Sequence, residues 1–230
     1  GPDNGSIYMA PKLDGTHHFT FKFGMNEMVG KDFVTALPQL VEASGRRFGM
    51  MNVPTTGPAC EVNGFMVAGG GGGMNKIEGI PPELCWPRSL AEKLDGIGYV
   101  PDLRLKTSGI ESFSKLMDSL DKIVQTRADA FLALVEEFSV DVGFLCFRVT
   151  TDIQYLAMSE IESILSMRDM PEVRQEGFSE KLSEVQRRIV EHYRILDGCI
   201  RKVFETLRPS GHIITSDHGA SRYLHSINFD

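Results

Sequence analysis

The chain has 230 residues, 42% of them hydrophobic and 24% charged, the make-up of a soluble globular protein with room for one large α/β domain or two small ones. Its formal net charge of −7 argues against a non-specific binder of nucleic-acid duplexes or anionic membranes, which needs a basic face. An anionic substrate stays open, because a bound divalent cation inverts the local field.

No apolar run approaches the ~20 residues of a membrane span, and nothing reads as a signal peptide. Cys60, Cys85, Cys146 and Cys199 are widely spaced with no C-x-x-C pair. Cys146 and Cys199 fall in apolar periodic segments, so buried free thiols and a cytoplasmic, reducing compartment are expected. The opening "GPDNGS" (residues 1–6) reads as a cloning scar with a linker, and residues 7–230 as a single α/β domain.

Taken in chain order, "DFVTALPQLVEASG" places Phe33, Leu37, Leu40 and Val41 at helical spacing, with Gly45 as C-cap and Pro38 as a break unless the main helix starts near it. "RRFGMMNV", residues 46–53, predicts a strand that "PTTGP" stops. Five glycines follow at 69–73. A flexible or tightly turned loop is the main expectation there. A phosphate cradle is the alternative, but it wants spaced glycines running into a helix start, and "KIEGIPPEL" is not one. Residues 54–109 as a whole read as an irregular cap or loop region, with Trp86 as its anchor.

"IESFSKLMDSLDKIV" sets Ile110, Phe113, Leu116 or Met117, Leu120 and Ile123 or Val124 on one face. The helix, or a second one after a break, continues through "ADAFLALVEEF". "VDVGFLCFRVT", residues 140–150, reads as a strand buried on both faces, hence a parallel sheet. The clearest helix runs from about Ser179, its expected cap, to Leu207. Leu182, Val185, Ile189, Tyr193, Leu196, Ile200 and Val203 form its stripe, and "RPSG" ends it. "HIIT", 212–215, is expected as a short buried strand. This order predicts an α/β sheet with helices packed on its faces and ligands at the C-terminal ends of the strands.

Two such ends carry candidate metal ligands. "LCFRVTTD" delivers Asp152, and "HIITSDHG" delivers Asp217 and His218, with Gly219 free to turn sharply beside them. Carboxylate and imidazole together suit zinc and similar divalent ions. The competing reading of an Asp-His pair in such a loop is a local turn or cap.

Three stretches also resemble the type I phosphodiesterase/nucleotide pyrophosphatase family of the alkaline phosphatase superfamily. "MNVPTTGPACEVNGFMVAGG" is similar to its Asn-x-Pro-x-Thr segment running into Val-Asn-Gly-Phe-Met-Val. "FLCFRVTTDIQYL" resembles the strand that ends in a metal-binding aspartate. "HYRILDGCIRKVFETLRPSGHIITSDHG" resembles the helix and strand that lead to a Ser-Asp-His-Gly metal motif. The likeness covers roughly residues 33–230.

It implies an alkaline-phosphatase-like, largely parallel sheet with helices on both faces and an irregular cap. It also implies hydrolysis of phosphate esters, of the phosphodiesterase or nucleotide pyrophosphatase type, on a phosphorylated small molecule or nucleotide. Two divalent metals, usually zinc, would serve a threonine or serine nucleophile. By this resemblance Asp217 and His218 belong to the metal that binds the nucleophile, and Asp152 to the second metal.

The chain also departs from the pattern. The family's histidine four residues after the strand-end aspartate is Leu156 here, and matching the neighbouring Tyr155 takes a one-residue gap; neither is a good zinc ligand. The family's first strand and nucleophile have no clear counterpart. "KLDGTHHF" holds Asp14 and Gly15, but "IYMAPK" is a poor buried strand because of Pro11. A further histidine belongs beyond residue 230. The expectation is therefore a middle piece of a larger enzyme or a diverged relative with an impaired site, with little turnover. The alternative is a binding module on the same scaffold.

The remaining candidates have plainer readings. Thr55 and Thr56 sit in a post-strand loop where turn formation is the commoner role. His17 and His18 read as a solvated pair, His192 as boundary packing, and Arg187 and Arg188 as a wet helix face. His225 lies near the metal motif, but nothing fixes its loop.

Overall fold

A computed structural model describes residues 5–8, 20–23, 41–54, 56–69, 80–101, 110–168 and 180–216. The chain divides into two compact units, Gly1–Gly45 and Arg46–Asp230. In the first unit, β1 (Gly5–Tyr8) pairs antiparallel with β2 (Thr20–Phe23) in the register Gly5↔Phe23. β1 ends at Tyr8, and Pro11 lies outside the described residues. Residues 41–43 are helical, and Gly45 at φ 73° follows them, as expected for a glycine that ends a helix.

The second unit is an α/β structure. Its sheet has the order β5-β4-β3-β6, with β3 at Phe48–Met51, β4 at Gly64–Val67, β5 at Cys85–Trp86 and β6 at Val142–Leu145. β3 runs parallel to both β4 and β6, and β5 is antiparallel to β4. All four residues of β3 are buried. Successive side chains point to opposite faces, so both faces of the central strand are covered. The register between β3 and β6 is pinned by Arg47. Its N–H donates to Asp141 Oδ2 at 2.8 Å, and its carbonyl accepts from Asp141 N at 3.0 Å and Val142 N at 3.1 Å.

Among the described residues, four α-helices accompany the sheet: α1 (Leu90–Gly96), α2 (Ile110–Glu137), α3 (Val149–Arg168) and α4 (Glu184–Leu207). The expected second helix after a break is the same unbroken α2. α3 is kinked at Ala157, with φ −139° and ψ 30°. α4 begins at a capping box rather than at Ser179. Ser183 Oγ accepts from Gln186 N at 3.2 Å, and Gln186 Oε1 accepts from Ser183 N at 3.0 Å. Gln186 Nε2 then donates to Glu160 Oε2 at 2.8 Å and to Ser163 Oγ at 3.2 Å, joining α4 to α3. Arg208, left-handed at φ 46°, ends α4 where "RPSG" predicted.

Two apolar groups hold the unit together. Met117, Leu120, Ile123, Val124 and Ala128 of α2 pack with Val149, Ile153 and Ala157 of α3 and with Ile189, Leu196 and Cys199 of α4. On the sheet, Gly49 faces Phe65 of β4 on one side and Gly143 of β6 on the other. The two bare backbones make a shallow bed. Phe65 meets Phe131 of α2 edge to face, with ring centroids 6.1 Å apart. A Cβ on Gly49 would lie 2.6 Å from the Phe65 ring, and one on Gly143 would lie 2.8 Å from the Phe131 ring.

Several expectations need correction. The strand at 140–150 shrinks to Val142–Leu145. It lies at the sheet edge and is partly exposed, because only β3 pairs with it among the described residues. The segment 212–215 is not a strand. Ile213 is 90% exposed and Ile214 69%, because no neighbouring strand bonds or covers them among the described residues. The stretch at 54–109 is less irregular than expected: it holds β4, a 3-10 turn (Pro82–Leu84), β5 and α1. Trp86 does anchor it, donating from Nε1 to the Val62 carbonyl at 3.1 Å.

Gly49→Ala and Gly143→Ala are expected to lower stability by about 1–3 kcal/mol each, the usual cost of overpacking. Pairing Gly143→Ala with Phe131→Leu should recover part of its loss. Urea unfolding of the variants measures both effects.

Candidate functional site

The three parallel strands end side by side, and their next residues form one knot. Asn52 follows β3, Ala68 and Gly69 follow β4, and Cys146 follows β6. Asn52 is buried and left-handed at φ 61°, a conformation Asn tolerates better than most residues. Its N–H donates to the Val67 carbonyl at 2.8 Å, and its Nδ2 reaches the Cys146 carbonyl at 3.5 Å. Cys146 N in turn donates to the Met51 carbonyl at 3.1 Å. One residue, through its backbone N–H and its side-chain amide, thus ties the ends of β3, β4 and β6.

The loop after Asn52 folds back on the same point. Thr56 Oγ1 donates to the Val53 carbonyl at 2.7 Å and accepts from Gly69 N at 3.1 Å. Gly69 N also donates to the Val53 carbonyl at 3.0 Å. A Cβ on Gly69 would sit 2.3 Å from that carbonyl oxygen, so the first glycine of the run is required by close backbone approach. Thr56 therefore serves as the turn residue its loop position favoured. Thr55 lies outside the described residues.

Beneath this knot is a buried cation. Arg127 of α2 is fully buried, with its guanidinium 5.9 Å from the centroid of the Tyr99 ring. Nη1 donates to the Cys146 carbonyl at 3.4 Å, and Nη2 donates to the Pro101 carbonyl. The Cys146 carbonyl thus accepts from Asn52 and Arg127 together. Nearby, in β5, the Cys85 thiol is pushed up to about 12 by burial, with Asp95 and Glu83 adding to the rise. It stays protonated and unreactive in neutral solution. None of the four cysteines is in a disulfide, and Cys85 and Cys199 are buried.

Of the three expected metal ligands, Asp152 is described. It lies in the first turn of α3, half-buried, beside fully buried Ile153. A carboxylate there is favoured by the helix dipole. Tyr155 is 77% exposed, and Leu156 is half-buried. Asp217 and His218 lie outside the described residues, as do His17, His18 and His225. Among the described residues, no group of three or more His, Cys, Asp or Glu side chains is placed to hold a metal ion. Asp152 is thus the one expected ligand whose surroundings are known.

Two further expectations change. His192 is not boundary packing but fully buried core, and Arg188 is not on a wet face. Arg188 pairs with Asp118 at 2.8 Å and Asp121 at 2.5 Å. Asn52, Gly69 and Arg127 were not singled out from the sequence. For Arg127 a signal existed: it falls on the same helical stripe as Val124, Ala128 and Phe131, where a charge has no ordinary place.

No family model, curated protein or solved structure matches the chain. Among the described residues, no helix is long and apolar enough to cross a membrane.

Asn52→Gly keeps the left-handed turn and loses the side-chain bond, while Asn52→Ala loses both. The expected order of stability is wild type, then Gly, then Ala, with steps of about 1 kcal/mol. Urea midpoints of the three proteins test that order.

Proposed function

We propose that the chain is a metal-dependent hydrolase of phosphate esters with an alkaline-phosphatase-like fold, acting on a phosphorylated small molecule or nucleotide. The observation that supports it is the shared end of the parallel strands. β3, β4 and β6 finish together, and the chain leaving β6 enters a helix whose first turn carries Asp152. Ligands of open parallel sheets collect at such ends. The likeness of "FLCFRVTTD" and "HIITSDHG" to the phosphodiesterase motifs supplies the chemistry.

In this reading Asp152, Asp217 and His218 hold divalent metal, zinc above all. Bound metal would polarise the phosphoryl oxygens and lower the pKa of an attacking hydroxyl or water. The chain's own part is to fix the rim. Asn52 ties the three strand ends, Gly69 lets the β4 loop approach Val53, and Arg127 holds the Cys146 carbonyl from below. Four cysteines without a disulfide agree with a reducing, cytoplasmic setting.

Tyr155 favours a second reading, a binding module without turnover. It stands where a one-residue gap would align the family's histidine, and it points its ring into solvent at 77% exposure. A neutral phenol so exposed is a poor substitute for an imidazole ligand.

Zinc measured after saturation and dialysis separates the outcomes. The hydrolase reading expects about one equivalent or more per chain, lowered by Asp152→Asn and by His218→Ala. It also expects slow hydrolysis of bis(p-nitrophenyl) phosphate that rises with added zinc or manganese and disappears in Asp217→Asn. Zinc bound without turnover selects the binding module. Zinc below about half an equivalent removes the metal site from both readings.

A further inference from the structure

The seam between α2 and α4 buries a histidine that the strand-end site does not use. His192 has no exposed surface, and its Nδ1 lies 2.5 Å from Asp121 Oδ1. The other oxygen of that carboxylate, Oδ2, accepts from Arg188 Nη2 at 2.5 Å, and Arg188 also reaches Asp118 Oδ1 at 2.8 Å. An aspartate facing a guanidinium is ionised and can only accept. Nδ1 of His192 must therefore carry the proton. Nε2 is left as a bare lone pair, buried and without a hydrogen-bond partner.

We propose that Asp121 and His192 form a pH-sensitive lock on the α2–α4 seam, closed while the imidazole is neutral and released when Nε2 takes a second proton. The neutral ring fits its place: one N–H, one acceptor, and an apolar surround that includes Ile189 and Leu196 of the same helix. The imidazolium does not fit, because its new N–H would point into a core that offers it no acceptor among the described residues. Opening the seam gives that donor water.

The charged groups around the ring act in opposite directions. Asp121 of α2 favours the proton, and Arg188 of α4 opposes it. Asp118 meets the ring only through Arg188. On the α3 side, among the described residues, Gln154 bonds the neighbouring Tyr193, and Glu160 is taken by Gln186. Burial outweighs the attraction of Asp121, so the folded pKa lies below the ordinary 6.5. An opened seam therefore binds more protons than the closed one once the pH falls below about 6.5. The lock is at full strength above that value and weakens as the pH drops through the folded pKa.

Hydrogen exchange of the α2 and α4 amides, compared at pH 7.5 and pH 5.5 after correction for intrinsic rates, tests the lock. Each pH unit within the window speeds opening by up to about tenfold. His192→Gln, which keeps an N–H for Asp121 and cannot titrate, should flatten that dependence; an equal slope in this variant overturns the lock. If the variant does not fold, NMR of the wild-type protein with 15N-labelled histidine decides. A proton on Nδ1 and a pKa below 6.5 support the lock, and a proton on Nε2 or a pKa at or above that value overturns it.

Discussion

The architecture of the larger unit depends on how closely α2 lies against the sheet. Gly49 and Gly143 are register partners on adjacent parallel strands, and neither has a side chain to keep a helix away. The rings of Phe65 and Phe131 occupy the space where two Cβ atoms would otherwise stand. Burying an aromatic side chain contributes roughly 1.5–3 kcal/mol. The geometric effect is larger than that figure conveys, because the contact fixes both the height and the rotation of a 28-residue helix.

Once Phe131 is seated, the rest of α2 follows by helical geometry. Arg127 stands one turn earlier, about 6 Å back along the axis. Cys146 lies about 10 Å beyond Gly143 along the strand direction. The long arginine side chain covers the difference and delivers its guanidinium to the Cys146 carbonyl. Further toward the N-terminus, Met117, Leu120 and Val124 turn to α3 and α4, and Asp121 meets His192 and Arg188. Sheet, strand ends and helix seam are three readouts of one docking. Arg127 carries the heaviest cost, since a buried guanidinium loses its water and needs carbonyl acceptors and a π face in return.

Much of this was legible from residue patterns alone. The helix at 110–137, the helix that ends at Leu207, the strand near 48–51 and the largely parallel sheet all follow from periodicity and from Gly and Pro punctuation. Asp152 could be placed just past a strand, because the apolar run before it is so uniform. Other features were hidden for physical reasons. The stripe of α4 was read through Tyr193 and Ile200, but the buried line runs through Ile189, His192, Leu196 and Cys199. Polar and apolar residues alternate densely enough there that a rotation of one residue is invisible to hydropathy. His192 counts as polar in any such scheme, yet its partner comes from α2, seventy-one positions away. Gly69 looked like one of five equal glycines, and only the approach of Val53 singles it out. The reverse error occurred at 212–215. Four residues with strand propensity do not make a strand when, among the described residues, no strand lies alongside to accept their bonds, since strand stability comes from cross-strand partners rather than from the backbone.

The two long-range polar clusters differ in a way that bears on function. Asn52 and Arg127 donate to the main-chain carbonyls of Val67, Cys146 and Pro101. Carbonyls do not titrate, so these particular bonds do not depend on pH in the physiological range. Around Asp121 one partner, His192, changes charge while Arg188 stays a cation, and the geometry is conditional on that imidazole. A rim that must keep a carboxylate such as Asp152 in place for a dication needs the first kind of support, because ligand spacing tolerates little drift. Conditional contacts belong where movement does no harm to that spacing. In this chain they occur on the seam between α2 and α4, which is joined to the strand ends along α2 and, by way of Gln186, along α3.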